Sequence, residues 1–157
     1  MSRSETHNPS RIISGGQTGV DRAALDVAIT LGIPHGGWCP RGRLAEDGRI
    51  PDRYRLEEMA TADYAPRTER NIVDADGTII LHRGRLRGGT LLTHQLAQRH
   101  DKPCLTVDLD KPADPNVARD WLRANDVRIL NVAGPRESQS PGIGDEAKRY
   151  LTGMLDA

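Results

Sequence analysis

"ISGGQTGVDRAALDVA", residues 13–28, decides the fold of this chain. The apolar run "RIIS" (11–14) leads into it as a short buried strand. Gly15, Gly16 and Gly19 then open a turn, and Val20, Ala24, Val27, Ala28 and Leu31 recur at helical spacing up to Gly32. A strand feeding a glycine turn and a helix is the first unit of a parallel α/β sheet. The amides at a helix start have no partner in the helix, and the helix dipole adds positive charge there, which together favour an anion. Glycines let the backbone approach such a ligand, and Gln17 and Thr18 add side-chain donors. The stretch is not a Walker loop, because no Lys-Ser/Thr pair follows the last glycine, and it is not GxGxxG. Asp21 stands where the dipole favours a carboxylate. Arg22 stands where a cation is disfavoured by about 0.3–1 kcal/mol, which a bound anion or Asp21 would offset.

The pattern repeats along the chain. Helices are expected over 65–76, with Pro66 in the first turn, over 88–101, over 115–126 with Asp114 as cap, and over 144–155. Strands are expected over 77–84, 103–109 and 127–134, and a weaker one over 35–39. Strand–helix alternation predicts an α/β, Rossmann-like three-layer sandwich around a five-stranded, mainly parallel sheet. The expected order is 2-1-3-4-5, with the switch point between strands 1 and 3. Residues 1–10 read as a flexible tail and 11–157 as a single ligand-binding domain.

Two further loops belong to the same edge. "GRLRGGTLLTH" (84–94) puts Gly88, Gly89 and Thr90 at a helix start. If strands 1 and 3 are neighbours, two glycine-rich helix starts flank the crevice where open α/β sheets bind ligands. "AGPRESQSPGIG" (133–144) offers Arg136 and Ser138, in a composition equally suited to polar recognition or a plain surface loop. Residues 40–56 carry five arginines, in a connection long enough to be functional or disordered. Arg41 there adds charge, and Trp38 just before it is a candidate to flank a ring.

Composition narrows the classes. Lys+Arg and Asp+Glu balance at 22 each, which argues against a nucleic-acid coat. No apolar run reaches the roughly 20 residues of a membrane span. Two cysteines outside any CxxC pair fit a reducing cytoplasm, and Cys39 is either a thiol activated by nearby cations or an inert buried one. Histidines 7, 35, 82, 94 and 100 form no zinc spacing, and no GxSxG elbow occurs. Glu46, Asp47 and Glu69 are the carboxylates available for acid–base work.

"SGGQTGVDRAALDVA", "GGWCPRGRLAEDGRIPDRY", "RTERNIVDADGTIIL" with its following "GGT", and "NVAGPRESQSPGIG" together resemble the molybdenum carrier family, over roughly residues 11–155. That family belongs to the Rossmann-like group that includes the lonely-guy phosphoribohydrolases and the Smf/DprA proteins. The resemblance implies a cytoplasmic carrier: a homo-oligomer that holds and protects molybdenum cofactor, or a nucleotide, with molybdoenzymes as partners. It places the ligand on Gly15, Gly16, Gln17, Thr18, Gly19, Asp21 and Arg22, with Gly88, Gly89 and Thr90 completing the site. The alternative it carries is nucleotide N-glycosidic hydrolysis. The lonely-guy enzymes have an acid shortly after their Gly-Gly-x-Gly-Thr stretch, and "GGTLLTH" has none in that place, so Glu46, Asp47 or Glu69 would have to serve.

Overall fold

In the computed structural model, residues 8–156 are described. Residues 1–7 of the expected tail lie outside them, and Ser10 already donates its amide to the Arg128 carbonyl at 2.8 Å. The elements run β1 (Arg11–Ile13), α1 (Val20–Leu31), β2 (His35–Gly36), β3 (Trp38–Cys39), β4 (Leu44–Ala45), β5 (Gly48–Arg49), β6 (Glu57–Glu58), α2 (Tyr64–Asp74), β7 (Gly77–His82), α3 (Gly88–Arg99), β8 (Cys104–Asp108), α4 (Pro115–Ala124), β9 (Ile129–Ala133) and α5 (Ile143–Leu155). Helix ends follow the expected chemistry. Gly32 closes α1 in the left-handed conformation, and the Asp114 carboxylate caps α4 by accepting from the Asn116 amide at 2.9 Å.

The main sheet has five parallel strands in the order β2-β1-β9-β7-β8. Helices α1, α4 and α5 pack together on one face, and α2 and α3 on the other. The three-layer α/β class therefore holds. The order departs from 2-1-3-4-5 because the last strand enters between the first and third, so β1 and β7 are not neighbours. Burial explains the placement. Leu130, Asn131 and Val132 of β9 are all buried, which suits a central strand covered on both faces. Thr106 of β8 is exposed, which suits an edge. Read from its last strand, the sheet has the doubly wound order 3-2-1-4-5, opened at a different point of the chain. The switch point accordingly lies between β9 and β7.

The expected strand over 35–39 is broken at Gly37, whose φ is +122°. A Cβ there would stand 2.3 Å from the Ser14 carbonyl oxygen. β2 stays in the main sheet, and β3 turns away to pair with β6. The arginine-rich connection is ordered rather than loose. It holds a 3-10 turn (Arg41–Arg43), the β4–β5 hairpin and a small core of Leu25, Cys39, Ala45, Ile50 and Tyr54. Cys39 is fully buried and burial raises its thiol pKa, so it is the inert alternative of the two. Among the described residues no helix is long and apolar enough to cross a membrane.

Candidate functional site

A cavity of about 240 Å³ opens over the C-terminal ends of β1, β9 and β7, at the switch point. Gln17 and Asp21 line it from the first loop and α1, and Gly89, Thr90 and Thr93 line it from α3. Gly134, Arg136 and Gln139 come from the loop after β9, and Tyr64, Arg67 and Thr68 from α2. Of the residues expected from the sequence, the fold thus brings Gln17, Asp21, Gly89, Thr90 and Arg136 together, with Gly88 beginning α3 beside them.

The other expected residues hold the surrounding loops. Gly15 leaves room for Arg67, whose Nη1 would lie 1.8 Å from a Cβ at that position. Gly16 packs on Leu56 and Ile50. Thr18 donates to Glu46 and accepts from the Glu137 amide, and the Ser138 hydroxyl also donates to Glu46. Gly19 lies against the backbone of residues 135–137. Arg22 does not face the cavity: it forms a two-pronged pair with Asp47, Nη2 to Oδ1 at 2.8 Å, and its Nε donates to the Gly16 carbonyl. Trp38 donates to Asp74 and lies under the Arg70 guanidinium, 4.4 Å from the ring centre, in a separate recess. Arg41 is exposed outside the cavity.

The loop after β9 runs close under β7, since a Cβ on Gly134 would stand 2.2 Å from the Leu81 carbonyl oxygen. At two of the three loops on this edge a carboxylate of the chain itself takes backbone amides. Asp21 accepts from the Gln17 amide at 3.2 Å and from the Gly15 amide. Glu137 takes the Gly142 and Gly144 amides at the start of α5, at 2.5 and 3.1 Å. At α3 the Thr90 amide turns back to Arg87, and the Gly88 and Gly89 amides meet no acceptor among the described residues.

The model of the circularly permutated YpsA SLOG family matches residues 12–155, and permutation is what the displaced last strand shows. The chain belongs to this family. It is also similar to a crystal structure from Syntrophus aciditrophicus SB named "Putative molybdenum carrier protein", with 46% identity and a TM-score of 0.94. That alignment covers 98% of this chain and 99% of the other. Among curated proteins no sequence matches.

The SLOG chain's cavity contains a residue the sequence did not single out. Arg67 stands 3.6 Å from Asp21, on the α2 face that also buries Thr68, Asn71 and Ile72. The helical period of 65–76 would have turned it toward the sheet with Asn71, one turn on. Asp21 is the carboxylate of the site. Glu46 and Asp47 are held below the usual carboxylate range by their partners, chiefly Ser138 and Arg22 respectively, and Glu69 pairs with His100 at 2.6 Å. None of these three lines the cavity. Among the described residues no cluster of three His, Cys, Asp or Glu side chains could hold a metal ion.

Burial raises the Asp21 carboxyl from 3.8 to about 6, against the lowering effect of Arg67, the Gln17 amide, Arg22 and the Gly15 amide. A carboxyl whose pKa is higher folded than unfolded binds its proton more tightly in the folded chain. Its contribution to stability is therefore gained as pH falls through 6 and lost as pH rises through it. Relative to Asp21→Asn, the wild type should gain up to about 3 kcal/mol between pH 7 and pH 4. Urea unfolding of both chains at three pH values in that range measures it, and a difference of opposite slope would refute the assignment.

Proposed function

We propose that this SLOG protein binds and carries a small phosphorylated heterocycle, molybdenum cofactor or a nucleotide. The observation that carries this reading is the open α3 start beside Arg136, in a cavity at the switch point. The Gly88 and Gly89 amides, Thr90 and Arg136 receive the phosphate. Tyr64, which lines the cavity while Trp38 does not, flanks the ring. The description of the similar Syntrophus protein as a molybdenum carrier supports the cofactor as cargo. The donors at α3 suit its terminal phosphate, and among the described residues no His, Cys, Asp and Glu cluster stands ready for the metal itself.

Native mass spectrometry with molybdenum cofactor, AMP and GMP tests this, with a one-to-one adduct expected at micromolar concentrations. No adduct with any of the three would refute it. Tyr64→Ala should weaken binding of the bound ligand about tenfold, as the loss of ring stacking implies. Titration calorimetry reads that change, and an unaltered affinity would remove Tyr64 from the site.

One observation favours hydrolysis as a second reading: a cavity carboxyl titrating near 6 is suited to acid–base work at neutral pH. Release of free base from a nucleotide, abolished in Asp21→Asn, would establish it.

A further inference from the structure

The cavity has a second polar corner, opposite in character to the open helix start. The Gln17 side chain is almost wholly buried, and its Nε2 donates to the Leu44 carbonyl at 2.9 Å. That bond fixes which end of the amide is which, and leaves Oε1 as a buried acceptor with no partner. Asp21 lines the same cavity one helical turn away in sequence. Two backbone amides use part of its acceptor capacity, which is about four lone-pair positions for a carboxylate. Arg67 beside it has a buried Nε–H without an acceptor. Two acceptors and one donor therefore await partners in one corner, and leaving such groups unpaired costs free energy.

We infer that Asp21, Gln17 and Arg67 read a 2-amino-4-oxopyrimidine edge, the face shared by pterins and guanine. This rests on the reading of the cavity as a site for a phosphorylated heterocycle. That edge presents an amine and a ring N–H as donors beside one carbonyl acceptor, in the complement of the corner. Adenine presents a ring nitrogen lone pair next to its amine, and that lone pair would face the Asp21 carboxylate. Rejection of adenine thus comes from repulsion as well as from lost bonds. The spacing agrees. β1 carries the acceptor corner and β7 leads to the α3 start, with β9 between them, so the two ends lie about two strand spacings, or roughly 10 Å, apart. A pterin or purine joined to a phosphate bridges that span.

Calorimetric titration of the full chain with GMP, IMP, AMP and neopterin monophosphate tests the inference. The wild type should bind GMP on the order of tenfold more tightly than AMP, with IMP, which lacks the amine, weaker than GMP. Asp21→Asn should remove most of the GMP preference and weaken the pterin phosphate on the order of tenfold. Asparagine retains one acceptor oxygen for the loop amides, and the wild-type comparison needs no variant. AMP bound as tightly as GMP, or a GMP or pterin affinity that Asp21→Asn leaves unchanged, would overturn the edge reading while leaving the carrier reading in place. Absence of binding to all four probes would overturn this inference, and loss of molybdenum cofactor binding as well would overturn the carrier reading.

Discussion

Arg43→Leu should destabilise the chain by about 3–5 kcal/mol. Arg43 is the buried guanidinium around which the arginine-rich connection is built. Its Nε donates to the Ile50 carbonyl at 3.0 Å, and its Nη2 donates to the Pro51 and Tyr54 carbonyls at 2.7 Å each. Leucine would fill part of the volume and supply none of the donors, leaving three acceptors to find water or remain unpaired. Ile50 and Tyr54 belong to the small core that this backbone covers, so the loss spreads to their packing. Urea unfolding gives the magnitude, and hydrogen exchange should show residues 44–58 losing protection first. The control is Arg41→Ala, an exposed arginine two positions earlier, expected to change stability by no more than about 0.5 kcal/mol. Equal effects for the two would show that the connection does not depend on its buried cation.

Gly19→Ala should cost about 2–4 kcal/mol, through backbone conformation and collision together. The φ of Gly19 is +80°, and an added Cβ would meet Pro135 O at 2.4 Å and Glu137 N at 2.8 Å. Both are backbone atoms, so the loop after β9 must move. That displacement would also strain the Thr18 contact with the Glu137 amide and the contacts of Thr18 and Ser138 with Glu46. Because the same loop carries Arg136 into the cavity, ligand affinity should fall with stability. Gly88→Ala separates the two causes. Its φ is +50°, and no atom lies within 4 Å of the added Cβ, so only the conformational cost of about 1 kcal/mol is expected. Matching losses of unfolding free energy in the two variants would refute the collision.

Much of the candidate site was legible as residue types at loop positions. Gln17, Asp21, Gly89, Thr90 and Arg136 were expected at the ligand edge and line the cavity there. The partners of Arg22 and Trp38 were not legible, because Asp47 and Asp74 reach them only through a hairpin and a helix that fold back from 25 and 36 residues away. The place of Arg67 is set by tertiary packing in the same way. A charged residue within a helical pattern reads as solvated until its face is known to pack on the sheet.

The sequence alone determined the alternation of strands and helices, their glycine turns and the Asp114 cap, because those follow from local periodicity and backbone chemistry. It also determined that the C-terminal edge of the sheet would carry glycine-rich helix starts. Only the tertiary structure decided that β9 lies between β1 and β7, since strand neighbours are chosen by long-range burial. That choice brings the loop after β9 against the first loop. It also decided what the glycines of "SGGQTG" do: their absent side chains make room for Arg67, Leu56 and the backbone at 135–137, while Asp21 takes the Gly15 and Gln17 amides.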